Sequence, residues 1–126
     1  MKNLQLGISA IVVIIAGLVY GFNPDAVLAA LIGIDLRDLE LKHIFKGMMG
    51  LYLAFGIFWI YGIFRPPLWK AATLSNVFFM GGIAFGRGVS LLLDGFSIHF
   101  AIAMILELFM MFWGLHNLTT KNVRIN

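Results

Sequence analysis

The chain of 126 residues contains no cysteine. That excludes disulfides, thiol nucleophiles and cysteine metal sites together, and it leaves the redox compartment unreadable. Charge is also scarce. Only 12% of residues are Asp, Glu, Lys or Arg, against roughly 25% in soluble domains. No phosphate loop, zinc signature, nucleophile elbow or paired catalytic histidine pattern occurs, and there is no internal repeat or low-complexity tract. The nominal charge of +3 would suggest nucleic acid only on a folded soluble face, and the chain has no soluble domain to carry one. Nucleic acid is therefore not an expected partner, and no cofactor or metal is expected. Three histidines remain, of which His43 and His99 share one end but lack any ligand spacing.

What is abundant is apolar: 61% of the chain. A hydrocarbon core of about 30 Å needs roughly 20 such residues per helical crossing, and four runs meet that length. They predict membrane helices over about residues 4–22, 44–64, 71–93 and 98–118 of a single integral membrane domain, 1–126. The first run follows Lys2 as a signal peptide would. It is long and lacks a clear small-residue cleavage site before Asn23, so it reads as a retained helix. Short connections between four antiparallel helices make an all-α, up-down transmembrane bundle the expected fold.

Punctuation supports these spans. Pro66 and Pro67 stop the second spanning helix. Asn23 with Pro24 starts, and Gly33 stops, a short apolar helix over 26–32, too short to span and expected at the membrane surface or over the bundle mouth. Residues 35–42 read as a solvated or interfacial turn of helix. Trp59, Tyr61 and Trp69 suit an interfacial aromatic belt, with Trp113 slightly deeper. Gly47, Gly50, Ala54 and Gly56, then Gly81, Gly82, Gly86 and Gly88, are expected to allow close helix packing. The Met- and Phe-rich "LFMMFWG" reads as lipid-facing or core surface rather than a cofactor cradle.

Charge sets the expected orientation. With four crossings, Lys2, Arg65, Lys70, Lys121 and Arg124 share one side, and no acid lies there. The positive-inside bias assigns that side, with both termini, to the cytoplasm. All six acids, Asp25, Asp35, Asp38, Glu40, Asp94 and Glu107, fall in the opposite loops or within helices.

Two spanning helices carry polarity at helical spacing. Asn76, Met80, Ile83, Arg87, Ser90 and Asp94 share one stripe, as do His99, Ala103, Glu107, Met110, Gly114 and Asn117. Counted from the intervening turn, the levels of Arg87 and Glu107 differ by roughly 3 Å at 1.5 Å per residue, so the two can pair. A lone charge near mid-membrane is disfavoured by at least about 2.5 to 3.5 kcal/mol, which drives both inward. The expected result is a buried ion pair. Arg87 could also engage Asp94, with Ser90 between them. Alternatively Asp94 caps the helix that follows "DGFS", and both readings stand. The outward half of the bundle thus gathers Lys46, Arg87, Ser90, Asp94, His99 and Glu107, while the cytoplasmic half reads as nearly all apolar.

"GLYLAFGIFW" at 50–59, followed by "FMGGIAFGRGVSLLLDG" at 79–95, resembles a bacterial family of small four-helix membrane proteins, domain of unknown function 4345. The likeness covers about residues 43–117, and its most telling part is Gly86, Arg87, Ser90, Asp94 and Gly95, with Glu107 following. Phe96 and Ser97 stand where the family often has prolines, and Lys46 where arginine is common. The resemblance implies the four-helix topology, a bacterial inner-membrane location and a polar core of Arg87, Asp94 and Glu107. It implies no activity.

The polar cluster, in a bilayer, suggests binding or transport of a small amphiphilic, lipid-like molecule, with a protonatable Glu107 coupling it to pH. The alternative is a non-catalytic accessory subunit, packed against a membrane-protein partner or a second copy of itself, in which the ion pair fixes register only. An enzyme acting on a lipid or quinone, with Glu107 or His99 as acid or base, lacks an accompanying nucleophile or cofactor site.

Overall fold

The computed structural model describes residues 2–33 and 38–125. Five helices follow in order: α1 Lys2–Gly21, α2 Pro24–Ile32, α3 Leu39–Phe64, α4 Pro66–Leu93 and α5 Ile98–Ile125. Four of them, all but α2, are long and apolar enough to cross a membrane.

The ends of these helices follow from local chemistry. Pro24 opens α2 at a position where its missing N–H is no loss. At the other end Gly33 takes the left-handed conformation, φ 72°, and its N–H reaches the Ala29 carbonyl at 3.1 Å. Asp38 caps α3, its carboxylate accepting from Glu40 N at 2.9 Å. Arg65 alone separates α3 from α4, extended at φ −122°, as a residue before proline prefers. Gly95, at φ 125°, turns the chain from α4 into α5, a conformation that suits glycine.

The spanning helices run alternately up and down. Gly17 lies against Tyr52 and Gly56 against Val13 and Ile14, so advance along α1 matches retreat along α3. Trp59 meets Ser75 and Phe79 across α3 and α4, and Gly81 meets Met111 across α4 and α5. The helix order α1, α3, α4, α5 closes through a lighter seam between α5 and α1. One end of the bundle carries Lys2 and the α3–α4 junction, here the terminal end. The other carries α2 and the α4–α5 turn, here the turn end.

Several sequence expectations shift. The second spanning helix begins at Leu39 rather than about 44, because Asp38 caps a turn that lipid length does not require, so residues 39–42 are the first turn of α3. The third begins at Pro66 rather than 71, and the fourth runs on to Ile125. Asp35 lies outside the described residues, as do the side chains of Asp25, Lys121 and Arg124. Trp59 and Trp69 do not form a belt. They are core residues, 0% and 2% exposed, while Tyr61 is exposed. Trp59 donates to Ser75 Oγ at 3.0 Å, and Lys2 Nζ stands 5.0 Å from the Trp69 ring centroid. Of the glycines expected to pack, Gly56 and Gly81 do and Gly88 is in ordinary contact, but Gly47, Gly50, Gly82 and Gly86 face open space. Gly17, Gly21, Gly62 and Gly114, outside the expected set, also make close approaches.

Candidate functional site

Antiparallel packing of α4 on α5 brings two turns of opposite charge to one level. Arg87 Nε donates to both carboxylate oxygens of Glu107, at 2.9 and 3.0 Å. Phe100, two turns before Glu107, covers the guanidinium face at 5.1 Å from its ring centroid. From the other side of the bundle, Tyr20 and Tyr52 come within electrostatic reach of Arg87. These two tyrosines meet edge to face at 5.9 Å, and Tyr20 stacks on Phe45 at the same separation.

The pair is not buried as the sequence suggested. The Arg87 and Glu107 side chains remain 18% and 15% exposed. The physical reason is the seam itself: α5 leans mainly on α4, and α1 touches it only lightly, so the charges are covered on one side and border open clefts on the other.

Two clefts flank the pair. One, of about 250 Å³, lies between the turn-end halves of α4 and α5 and is lined by Gly86, Arg87, Ser90, Ser97 and Phe100 among others. The second, of about 260 Å³, follows the α1–α5 seam past Ile8, Val12, Met80, Leu106, Met110 and Trp113, with Glu107 at its border. Apart from Glu107, this second lining is apolar.

The other expected site residues fall away from the pair. Asp94 neither bridges to Arg87 nor caps α5. It stands at the C-cap of α4, and its carboxylate accepts from Ser90 Oγ at 2.8 Å, one turn back along the same helix. Ser90, Asp94, Lys46 and His99 are all exposed, and among the described residues Lys46 and His99 make no hydrogen bond or ion pair with the Arg87–Glu107 pair.

The terminal half, read as nearly all apolar, holds a polar network. Gln5 Nε2 donates to Asn76 Oδ1 at 2.7 Å and to the Met110 carbonyl at 3.0 Å, with Ser9 Oγ at 3.4 Å. Gln5, Ser9, Thr73 and Asn76 are fully buried. Gly114 makes the approach possible, since a Cβ there would stand 3.3 Å from Gln5 Nε2 and 2.9 Å from Val77 Cγ2. Asn117 Nδ2 adds a weaker tie to the Lys2 carbonyl at 3.4 Å. A signal for this network existed in α1, where Gln5, Ser9, Val13 and Gly17 recur every fourth residue and so share one face. Tyr20 continues that face toward Arg87.

Fold and site together define a multi-pass helical membrane protein with a half-buried ion pair between its last two crossings. The chain belongs to the family described as domain of unknown function DUF4345, whose model matches residues 1–117. The match takes in α1 and α2 as well as the α3–α5 segment that carries the resemblance in the sequence. No curated protein and no solved structure matches the chain.

Proposed function

We propose that this protein binds, or carries, a small amphiphilic lipid-like molecule at the Arg87–Glu107 pair, drawn from the leaflet at the turn end. The observation that carries this reading is the pair's position between a cleft whose lining includes Arg87, Ser90 and Ser97 and a groove that is apolar apart from Glu107 at its border. That juxtaposition is the complement of an amphiphile: polar at one end, apolar along the rest. An ion pair whose purpose was register alone would gain from being covered, because each charge left at a lipid-facing seam must find compensation. The charge bias of the loops supports cytoplasmic termini and the family resemblance a bacterial inner membrane; on this reading the turn end and its clefts face the outer leaflet.

The test is native mass spectrometry of the full chain released from native membranes. The expected spectrum shows an adduct of lipid-like mass. Filling the groove with Leu106→Trp removes it, and Phe85→Trp, on an exposed face of α4, leaves it in place. Absence of any adduct from the wild-type chain overturns the reading, and a stoichiometric protein partner in the same preparation would favour the accessory-subunit alternative.

A further inference from the structure

We infer that the ligand is a single-chain amphiphile with an anionic oxygen head, a carboxylate or a phosphate, its head at Arg87 between α4 and α5 and its tail along the α1–α5 groove. The inference rests on the binding role proposed above and adds the sign of the head and the path of the tail.

The sign follows from which charge each cleft meets. Glu107 borders the groove, but both its carboxylate oxygens already accept from Arg87 Nε. Arg87, by contrast, lines the cleft at the turn end, and Glu107 is not among that cleft's lining. A guanidinium has five N–H donors in a planar fork. Both hydrogen bonds to Glu107 leave from Nε, and Tyr20 on α1 engages the guanidinium from the bundle side, so the donors left for the cleft are the Nη N–H groups that these two partners do not take. Phe100 covers the flat face, which leaves the donor edge as the route of approach. Planar, donor-rich edges of this kind match carboxylate and phosphate oxygens. The Ser97 hydroxyl, in the same lining, supplies a further donor. The Ser90 hydroxyl is already committed to Asp94.

The tail's path follows from volume and depth. At about 260 Å³, the groove lies just below the roughly 300 Å³ at which small-molecule sites begin, a size that suits a single acyl segment. Glu107 and Trp113 are six residues apart on α5, or about 9 Å along its axis, so the groove leads from the ion pair toward the terminal end. Glu107 links the two places, bordering the groove while it holds Arg87, so a chain reaching the groove from a head at Arg87 would pass Glu107 and run down the α1–α5 seam, away from the α4–α5 turn.

Photocrosslinking decides this. The full chain, in phosphatidylcholine nanodiscs, is offered three probes of equal chain length with a mid-chain diazirine: a fatty acid, a lysophosphatidate and a fatty alcohol. Labelled residues are then mapped by peptide mass spectrometry. The expected result is saturable labelling of groove residues Leu106, Met110 or Trp113 by at least one anionic probe. It should exceed that of the alcohol by about tenfold or more, the factor expected from charge-assisted hydrogen bonds. Whichever acid labels better identifies the head as carboxylate or phosphate. Arg87→Gln abolishes the preference, and Arg87→Lys, which keeps the charge and serves as a folding control, retains part of it. If the alcohol labels the groove as well as both acids do, the anionic head is wrong while amphiphile binding stands. If no probe labels the groove above the level at lipid-facing Leu92, both readings fail.

Discussion

At the scale of single residues, the energetics of Arg87 and Glu107 depend on what each leaves behind when it is removed. Replacing Glu107 with Leu strips the guanidinium of both carboxylate oxygens that it donates to and leaves its charge without a counter-charge in the seam, a loss of about 3 kcal/mol. Arg87→Leu alone leaves the carboxylate in the same position. The double substitution removes both charges, and since apolar replacements of such pairs are often neutral or better, its loss should be smaller than that of either single variant. Reversible unfolding in mixed micelles measures all four proteins. Additive losses would show that the two side chains do not depend on each other for stability. Glu107→Gln separates charge from shape: the amide keeps one oxygen acceptor for Arg87 Nε, so its stability loss should fall below that of Glu107→Leu. The Gln5 network is a different case, because it is fully buried and neutral. Its hydrogen bonds are of a kind that averages about 0.6 kcal/mol in membrane interiors, so its value lies in fixing which residues of α1, α4 and α5 stand at one level.

At the scale of helices, glycines report where two backbones meet. A methyl group at Gly17 would stand 2.9 Å from Tyr52 Cβ and 3.4 Å from the Met49 carbonyl oxygen, atoms held near or in the α3 backbone. At Gly82 and Gly86 it would meet nothing within 4 Å. Gly17→Ala should therefore destabilise by about 1 to 3 kcal/mol through overpacking, whereas Gly82→Ala and Gly86→Ala should be neutral or stabilising by up to about 1 kcal/mol through helix propensity. Thermal unfolding in detergent checks the difference in sign, and equal effects at all three positions would remove the α1–α3 contact as the cause. The same glycines mark how far the sequence could be read. The four crossings, the short α2 and the level of Arg87 against Glu107 were legible because they follow from run length, caps and rise per residue. Which glycines pack was not, because a glycine's partner is set by how two helices rotate against each other, and small-residue spacing leaves that rotation open. Trp59 and Trp69 were misread for a related cause: their position near a helix end suited an interface, but the facing surfaces of α3 and α4 turn them inward. The stripe through Asn76 and Arg87 was legible as a face, while Gln5, which binds Asn76 from a helix far away in sequence, was not.

At the scale of the whole molecule, orientation decides which leaflet the two clefts face. The terminal end bears Lys2, Arg65 and Lys70, with Lys121 and Arg124 in the same C-terminal direction; in the sequence, the connection between α2 and α3 and the start of α3 carry Arg37, Lys42 and Lys46. Five basic residues against three is a modest bias, and acids contribute little to it, so Asp38, Glu40 and Asp94 do not strengthen the case. The native chain has no cysteine, and single cysteines therefore report topology without background. Phe96→Cys places a thiol at the α4–α5 turn, where Phe96 is 76% exposed; Pro67→Cys places one at the exposed opposite junction. A membrane-impermeant maleimide should label Phe96→Cys in intact spheroplasts and Pro67→Cys only after the membrane is opened. The reverse pattern would leave the bundle and its ion pair as they are. It would invert their setting, so that the Arg87 cleft opened to the cytoplasmic leaflet and any amphiphile reaching the α1–α5 groove would have to enter from inside the cell.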